Sequence, residues 1–113
     1  MQFGAHVSVA GGLWNAPINA AALGCEVLQM FSRSPHGGQP KPITVQDAAQ
    51  FTHAMQTHKI ALAYLHAPYF INLASKEKRI RGGSVQILRQ ELERGTQLGV
   101  RALMFHPGSA KDL

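Results

Sequence analysis

The sequence predicts an α/β fold in which four parallel strands alternate with three helices. Four short apolar runs are typical of buried strands, and the segments between them carry apolar residues at helical spacing. Each connection is long enough for a crossover helix, which favours parallel strands in right-handed order. The predicted strands cover residues 2–7, 26–31, 61–66 and 100–105, and the predicted helices cover residues 13–23, 45–58 and 84–98.

In the first half of the chain, glycine, proline and apolar residues support the predicted elements and their boundaries. A turn with two glycines follows the first strand, and Gly24 ends the first helix, in which Pro17 falls near the first turn. The second strand is mostly apolar, which predicts burial on both of its faces. Residues 32–42 contain three prolines and two glycines and are therefore expected to form a long loop.

The second half contains two further helices with recognisable boundaries. Thr44 is expected to cap the helix over 45–58. Ser84 is expected to cap the helix over 84–98, and Gly99 to end it. Helical spacing predicts that this last helix turns Val85, Leu88, Leu92 and Gly95 inward. This order of elements is compatible with half of a (βα)₈ barrel and with a small doubly wound sheet.

Bulk composition narrows the class of protein. The chain has 113 residues, 45% of them hydrophobic and 15% charged, as in an ordinary globular domain. It shows no signal peptide and no apolar run long enough for a membrane span, and its one cysteine suits a reducing, cytoplasmic compartment. The net charge of +5 is compatible with a polyanionic partner such as nucleic acid. The densest basic cluster is Lys76, Lys78, Arg79 and Arg81, which is either a solvated surface or a phosphate-binding surface.

Histidines follow the predicted strands where Pro- or Gly-containing turns begin. His66 precedes Ala-Pro, His106 precedes Pro-Gly-Ser, and His6 ends the first strand. The carboxyl ends of parallel strands meet at one edge, so imidazoles there suggest a metal site. A hydrogen-bonded structural role is the alternative for each histidine. None of the six acidic residues occupies a matching position, and none forms a general acid–base pair.

Two aromatic residues, Tyr69 and Phe70, come directly after the His66 turn. Exposed aromatic rings beside such a site can stack on bases or wedge into a duplex. The alternative is an apolar lid over the helices. His36 lies in the loop after the second strand, where a solvent or substrate contact is expected.

Three ordered motifs resemble the endonuclease IV-type apurinic/apyrimidinic endonucleases. They are GAHVSVAGGL at residues 4–13 with NAP at 15–17, HAPYFINL at 66–73, and FHPGS at 105–109. The resemblance extends over essentially all 113 residues and implies a partial TIM (β/α)₈ barrel. It corresponds to the N-terminal part of a family domain, so we expect residues 1–113 to be that part of a single domain.

The resemblance also implies an activity and site residues. Members of this family incise DNA 5′ to abasic sites with a cluster of three zinc ions. His66 and His106 match ligands of one zinc, and Tyr69 with Phe70 matches loop residues that penetrate the duplex. In the loop after the second strand the family often carries a DNA-probing arginine in a segment that ends in tryptophan. Here that stretch is SRSPHGG at residues 32–38, which leaves Arg33 and His36 as the candidate DNA contacts.

We therefore expect the N-terminal portion of a zinc-dependent endonuclease that is inactive by itself, because the remaining zinc ligands lie on later strands of the family domain. Its expected partners are double-stranded DNA with abasic sites and either the missing C-terminal half or a second copy of the chain. A xylose isomerase-like enzyme fragment acting on a sugar or sugar phosphate is one alternative. A non-catalytic, self-associating half-barrel is another.

Overall fold

The structure is a computed structural model that describes residues 1–110, and Asp112 lies outside them. The described residues form one sheet in the order β1-β2-β3-β4, with every neighbouring pair parallel. The predicted alternation of four strands and three helices is confirmed, although most elements are shorter than predicted. The elements are β1 (Gly4–His6), α1 (Asn15–Ala22), β2 (Val27–Met30), α2 (Val45–Thr57), β3 (Leu62–His66), α3 (Lys78–Leu98) and β4 (Ala102–Met104).

The core lies on one face of the sheet. Leu28 and Met30 of β2 and Ala63 and Leu65 of β3 are almost fully buried, whereas the residues that alternate with them are half-buried. Side chains alternate between the two faces of a strand, so only one face of β2 is covered. The prediction that β2 is buried on both faces is therefore wrong for the residues that the structure describes.

Thr44 caps the start of α2, as predicted, and the cap takes the form of a capping box with Asp47. The Thr44 hydroxyl accepts a hydrogen bond from the Asp47 amide at 3.0 Å, and the Asp47 carboxylate accepts one from the Thr44 amide at 3.0 Å. The second bond favours the ionised carboxylate and lowers the pKa of Asp47. Phe51 anchors this helix in the core with 1% of its surface exposed.

The start of α3 differs from the prediction. The helix begins at Lys78 after Glu77, so Ser84 lies inside it rather than at its cap. The Ser84 hydroxyl donates to the Ile80 carbonyl at 2.7 Å and accepts from the Asn72 amide at 2.9 Å. Serine is favoured at caps because its hydroxyl bonds nearby backbone groups, and here it forms such bonds from within the helix.

The inward face of α3 is also more polar than predicted. Its buried residues are Ser84, Glu91, Gly95 and Leu98. Val85 and Leu92, which were predicted to point inward, are 49% and 58% exposed, and that prediction is wrong. Leu88 is half-buried, and the inward position of Gly95 is confirmed. The apolar pattern misleads here because Ser84 and Glu91 have hydrogen-bond partners that make their burial tolerable.

Glycines set the end of α3 and its distance from the sheet. Gly99 ends the helix in the left-handed conformation with φ of 73°, as predicted. A Cβ atom on Gly95 would lie 2.8 Å from Val100 Cγ2 and 3.3 Å from Leu65 Cδ1, so the absence of a side chain allows close packing on β3. Among the described residues, no helix combines the length and apolarity that a bilayer crossing requires.

Candidate functional site

The predicted histidine junctions meet at one edge of the sheet. His6 and His66 are the last residues of β1 and β3, and His106 follows β4 by two residues. The ring centroids of His66 and His106 are 5.1 Å apart, and those of His6 and His66 are 6.1 Å apart. The structure thus brings together the three imidazoles. Strands β3 and β4 are neighbours, β1 lies only two strands from β3, and all three strands are parallel, so their carboxyl ends share one edge.

Phe31 lies between the His6 and His66 junctions. It follows β2, and its ring centroid lies 4.4 Å from that of His6 and 5.3 Å from that of His66. Sequence reasoning assigned Phe31 only to the end of a strand, since nothing local distinguishes it from a core residue.

Hydrogen bonds orient the rings of His66 and His6. His66 Nδ1 lies 2.6 Å from the Ala67 carbonyl oxygen, and His6 Nδ1 lies 2.9 Å from Gln29 Oε1. Gln29 donates from its Nε2 to Met104 Sδ, which turns its oxygen toward His6. A carbonyl oxygen only accepts, so these contacts place a proton on each Nδ1, and in the neutral ring the lone pair is then on Nε2. Metal-binding histidines commonly have this arrangement.

The carboxylates do not join this cluster. Within residues 1–110, no group of three or more His, Cys, Asp or Glu side chains is arranged to hold a metal ion. Glu26 lies just before β2, Asp47 and Glu77 lie at helix starts, and Glu91 and Glu93 lie along α3. The imidazole pair therefore fits zinc in chemistry but supplies only part of a coordination shell, which needs about four ligands.

Tyr69 lies exposed beside His66, and the next residue, Phe70, is exposed as well. They are 57% and 40% exposed, and the Tyr69 ring centroid lies 5.7 Å from that of His66. Tyr69 also contacts Phe31, at a centroid distance of 5.3 Å. Tyr69 therefore packs on the candidate site with much of its surface open to solvent.

The loop after β2 brings its two candidate residues into different environments. The His36 ring lies 6.2 Å from that of Tyr69, and the Tyr69 amide donates to the Pro35 carbonyl at 3.2 Å. Arg33 instead donates from Nη1 to Gln90 at 3.1 Å and from Nη2 to the Gly38 carbonyl at 2.8 Å. His36 thus reaches the site, whereas the terminal nitrogens of Arg33 bond within the protein.

Asn72 is a residue whose role sequence reasoning missed, although it lies in the HAPYFINL motif. Its side-chain amide donates to the Ser109 carbonyl at 3.1 Å and its Oδ1 accepts from the Ser109 amide at 3.1 Å. The Leu73 amide donates to the Pro107 carbonyl at 2.9 Å. These bonds tie the segment after His66 to the segment after His106. The only sequence signal was the place of Asn72 beside a histidine turn.

The basic cluster lies at the start of α3 rather than in a loop. Lys78, Arg79 and Arg81 occupy the first turn of the helix, and Arg81 donates to the carbonyls of Ser75 and Lys76. Part of the cluster therefore stabilises the preceding segment, and the remaining side chains form a basic surface after the Tyr69 segment.

Comparison with known proteins agrees with this arrangement. A sequence model described as "Xylose isomerase-like TIM barrel" matches residues 18–113. The chain belongs to this TIM-barrel family. The four parallel strands and three helices are consequently part of a TIM barrel, and the doubly wound alternative is excluded.

Within the TIM-barrel family, the chain is similar to endonuclease IV proteins, as the motifs predicted. It is 41% identical over 108 residues to a probable endonuclease 4 of Halorhodospira halophila and 42% identical over 108 residues to one of Methanosphaerula palustris. These matches cover 96% of this chain but only 36% and 38% of the relatives. The crystal structure of endonuclease IV from Thermus thermophilus superposes with a TM-score of 0.89 at 32% identity, over 96% of this chain and 41% of that one.

Proposed function

We propose that this chain supplies part of a zinc-dependent endonuclease that hydrolyses the DNA phosphodiester 5′ to abasic sites. The main support is the neighbouring His66 and His106 rings in a chain whose relatives are named endonucleases. The exposed Tyr69 and Phe70 and the net charge of +5 also suit DNA. These features favour DNA over a sugar substrate, although sugar enzymes share the xylose isomerase-like fold.

His66 and His106 would hold the metal through ring nitrogens. The Ala67 carbonyl keeps the proton of His66 on Nδ1 and thereby leaves Nε2 as the donor. The hydrogen bonds of Asn72 to Ser109 hold the two histidine segments together before any metal binds. When bound, zinc lowers the pKa of a coordinated water and offsets negative charge at a phosphate.

Tyr69, Phe70 and His36 would contact the DNA, with Arg33 supporting the loop that carries His36. Tyr69 and Phe70 present ring surface to solvent next to the histidines, where a base or a sugar can stack. His36 lies on the far side of Tyr69 and can donate to a phosphate or a base edge. The loss of base stacking at an abasic site lowers the energy needed to insert these rings.

We further propose that the 113-residue chain does not incise DNA by itself. Its described residues hold no group of three metal ligands, and β1 and β4 each have only one strand neighbour. An unpaired parallel edge favours association with further strands, from a C-terminal half or a second copy. Sedimentation with and without zinc tests the second copy, and a monomer under both conditions contradicts it.

Zinc binding tests the metal site directly. Isothermal titration of the chain with zinc is expected to show binding that His66→Ala and His106→Ala each weaken about tenfold or more, because each removes one imidazole ligand. His53→Ala, an exposed histidine on α2, is the matched control and should leave the affinity unchanged. Equal affinities for all four proteins would contradict the assignment.

DNA binding tests the substrate class. A duplex with an abasic analogue should bind more tightly than the intact duplex, by fluorescence anisotropy. Tyr69→Ala and Phe70→Ala should each weaken binding about 5- to 150-fold, which corresponds to a stacking loss of about 1–3 kcal/mol. Leu92→Ala, another exposed apolar residue, is the control. Chelator-sensitive incision by the chain alone would refute the proposed inactivity, while equal affinity for both duplexes would refute the abasic preference.

A further inference from the structure

A buried carboxylate on α3 contacts the first residue of the loop after β2. Glu91 has no exposed surface, and the Ser32 hydroxyl lies 3.0 Å from its Oε1 and 2.8 Å from its Oε2, sharing one proton between them. The same hydroxyl accepts from Arg94 Nε at 2.8 Å. A buried charge is tolerated only with such partners, so the position of Ser32 is coupled to both α3 side chains.

Arg94 also holds the two ends of this loop. Besides the Ser32 hydroxyl, its guanidinium donates to the Ser32 carbonyl and to the Lys41 carbonyl, the latter at 2.7 Å. Residues 32–42 contain no helix or strand, so no regular backbone ladder sets their shape. Hydrogen bonds to side chains of α3 therefore set the shape of the loop. Gln90 contributes one of them by accepting from Arg33 Nη1.

The tip of the same loop touches the candidate DNA-binding residues. The Pro35 carbonyl accepts from the Tyr69 amide, and the His36 ring lies next to the Tyr69 ring. The loop is thus held by α3 at its base and meets Tyr69 at its tip. A change at its base is expected to move His36.

We propose that Glu91 and Arg94 are positioning residues that act through Ser32 to place His36 beside Tyr69 for DNA contact. The inference rests on the proposed DNA-binding function. Glu91 itself is fully buried and does not touch the nucleic acid. Its effect on DNA affinity should therefore disappear once His36 is removed, which a purely structural role for Glu91 does not predict.

Amide hydrogen exchange and DNA binding together test this proposal. Ser32→Ala and Glu91→Gln are each expected to speed exchange of the Tyr69 amide, which donates to the Pro35 carbonyl of the loop, about fivefold or more, since each removes or weakens the link between loop and helix. Both should weaken binding to the abasic duplex about fivefold. Glu93→Gln, an exposed glutamate on the same helix, is the charge-matched control and should change neither quantity.

A double-mutant cycle separates positioning from general destabilisation. In the His36→Ala background, Glu91→Gln and Ser32→Ala should cause no further loss of DNA affinity. Full additivity in that background overturns the proposal, as does unchanged exchange in the single variants. Ser32→Ala leaves the buried Glu91 carboxylate without its hydroxyl donor, whereas Glu91→Gln keeps the size of the side chain and an oxygen that can accept from Ser32, so Glu91→Gln keeps the test valid if Ser32→Ala fails to fold.

The two hypotheses fail in distinguishable ways. A wild-type chain that binds neither duplex overturns the proposed function and the DNA part of this inference. Exchange of the Tyr69 amide and the NMR shift of the His36 ring, measured without DNA, then still decide the positioning claim. Faster exchange with a shifted His36 resonance supports that claim, and unchanged values overturn it.

Discussion

Replacing Arg94 with leucine removes three hydrogen bonds between α3 and the loop over 32–42. The bonds reach the Ser32 hydroxyl, the Ser32 carbonyl and the Lys41 carbonyl. The substitution also leaves the Glu91 carboxylate, which is fully buried, without its neighbouring cation at 3.9 Å. Leucine fills part of the volume but satisfies none of these polar atoms.

The expected loss in the free energy of unfolding is about 3–5 kcal/mol. Three hydrogen bonds from a charged donor would sum to about 4.5–9 kcal/mol at about 1.5–3 kcal/mol each. The Arg94 side chain is 11% exposed, so water can reach part of the vacated space and reduce this sum. Breaking a buried ion pair costs about 3–5 kcal/mol, which we take as the better guide. Such a loss is a large share of a typical stability of about 5–15 kcal/mol.

Urea denaturation followed by circular dichroism measures this change. With an m-value near ~2 kcal/mol/M, the midpoint should fall by about 2 M. Arg89→Leu, an exposed arginine on the same helix, is the control and should stay within about 0.5 kcal/mol of wild type. A loss below about 1 kcal/mol for Arg94→Leu would refute the argument that this guanidinium joins the loop to the helix.

Three further predictions concern single groups. Burial raises the pKa of Glu91 above the ordinary 4.5, and the hydrogen bond from Ser32 and the positive charges of Arg94 and Arg33 only partly oppose this. Its contribution to stability is therefore full below pH 4.5 and is lost as pH rises through the folded pKa. In urea denaturation at several pH values, the free energy of unfolding of wild type relative to that of Glu91→Gln should fall as pH rises, and an increase with pH contradicts this. Gly108→Ala places a Cβ atom 2.1 Å from Asn72 Oδ1 at a φ of +118°, and should weaken zinc binding in calorimetry by displacing the segment after His106; unchanged affinity contradicts this. Thr44→Ala removes the α2 cap and should lower the free energy of unfolding by about 1 kcal/mol in urea, with Thr52→Ala, exposed on the same helix, as a near-neutral control; equal losses contradict this.

The polar face of α3 shows where sequence patterns stop being informative. Apolar spacing pointed to Val85 and Leu92, yet Ser84 and Glu91 are the buried residues. A buried glutamate is acceptable only when a distant residue supplies its hydrogen bond, and Ser32 lies 59 positions earlier in the chain. No local window contains both partners, so this face could not be predicted from periodicity.

The candidate site likewise has some features that local sequence predicts and others that depend on long-range contacts. Strand ends are local features, so the turns after His6, His66 and His106 could be recognised, and parallel strands imply a shared edge. Their separations and the bonds of Asn72 depend on contacts between residues 37 to 60 positions apart in the chain. The fold class and the candidate residues thus follow from the sequence, through short-range patterns and motifs.

Only the tertiary structure decided which of the candidate residues meet. The sequence by itself placed His36 and Arg33 in one loop and could not separate them. Folding brings His36 to Tyr69 and commits the terminal nitrogens of Arg33 to Gln90 and Gly38. The physical reason is that a loop without regular hydrogen bonding takes its shape from the elements packed against it. For residues 32–42, that element is α3.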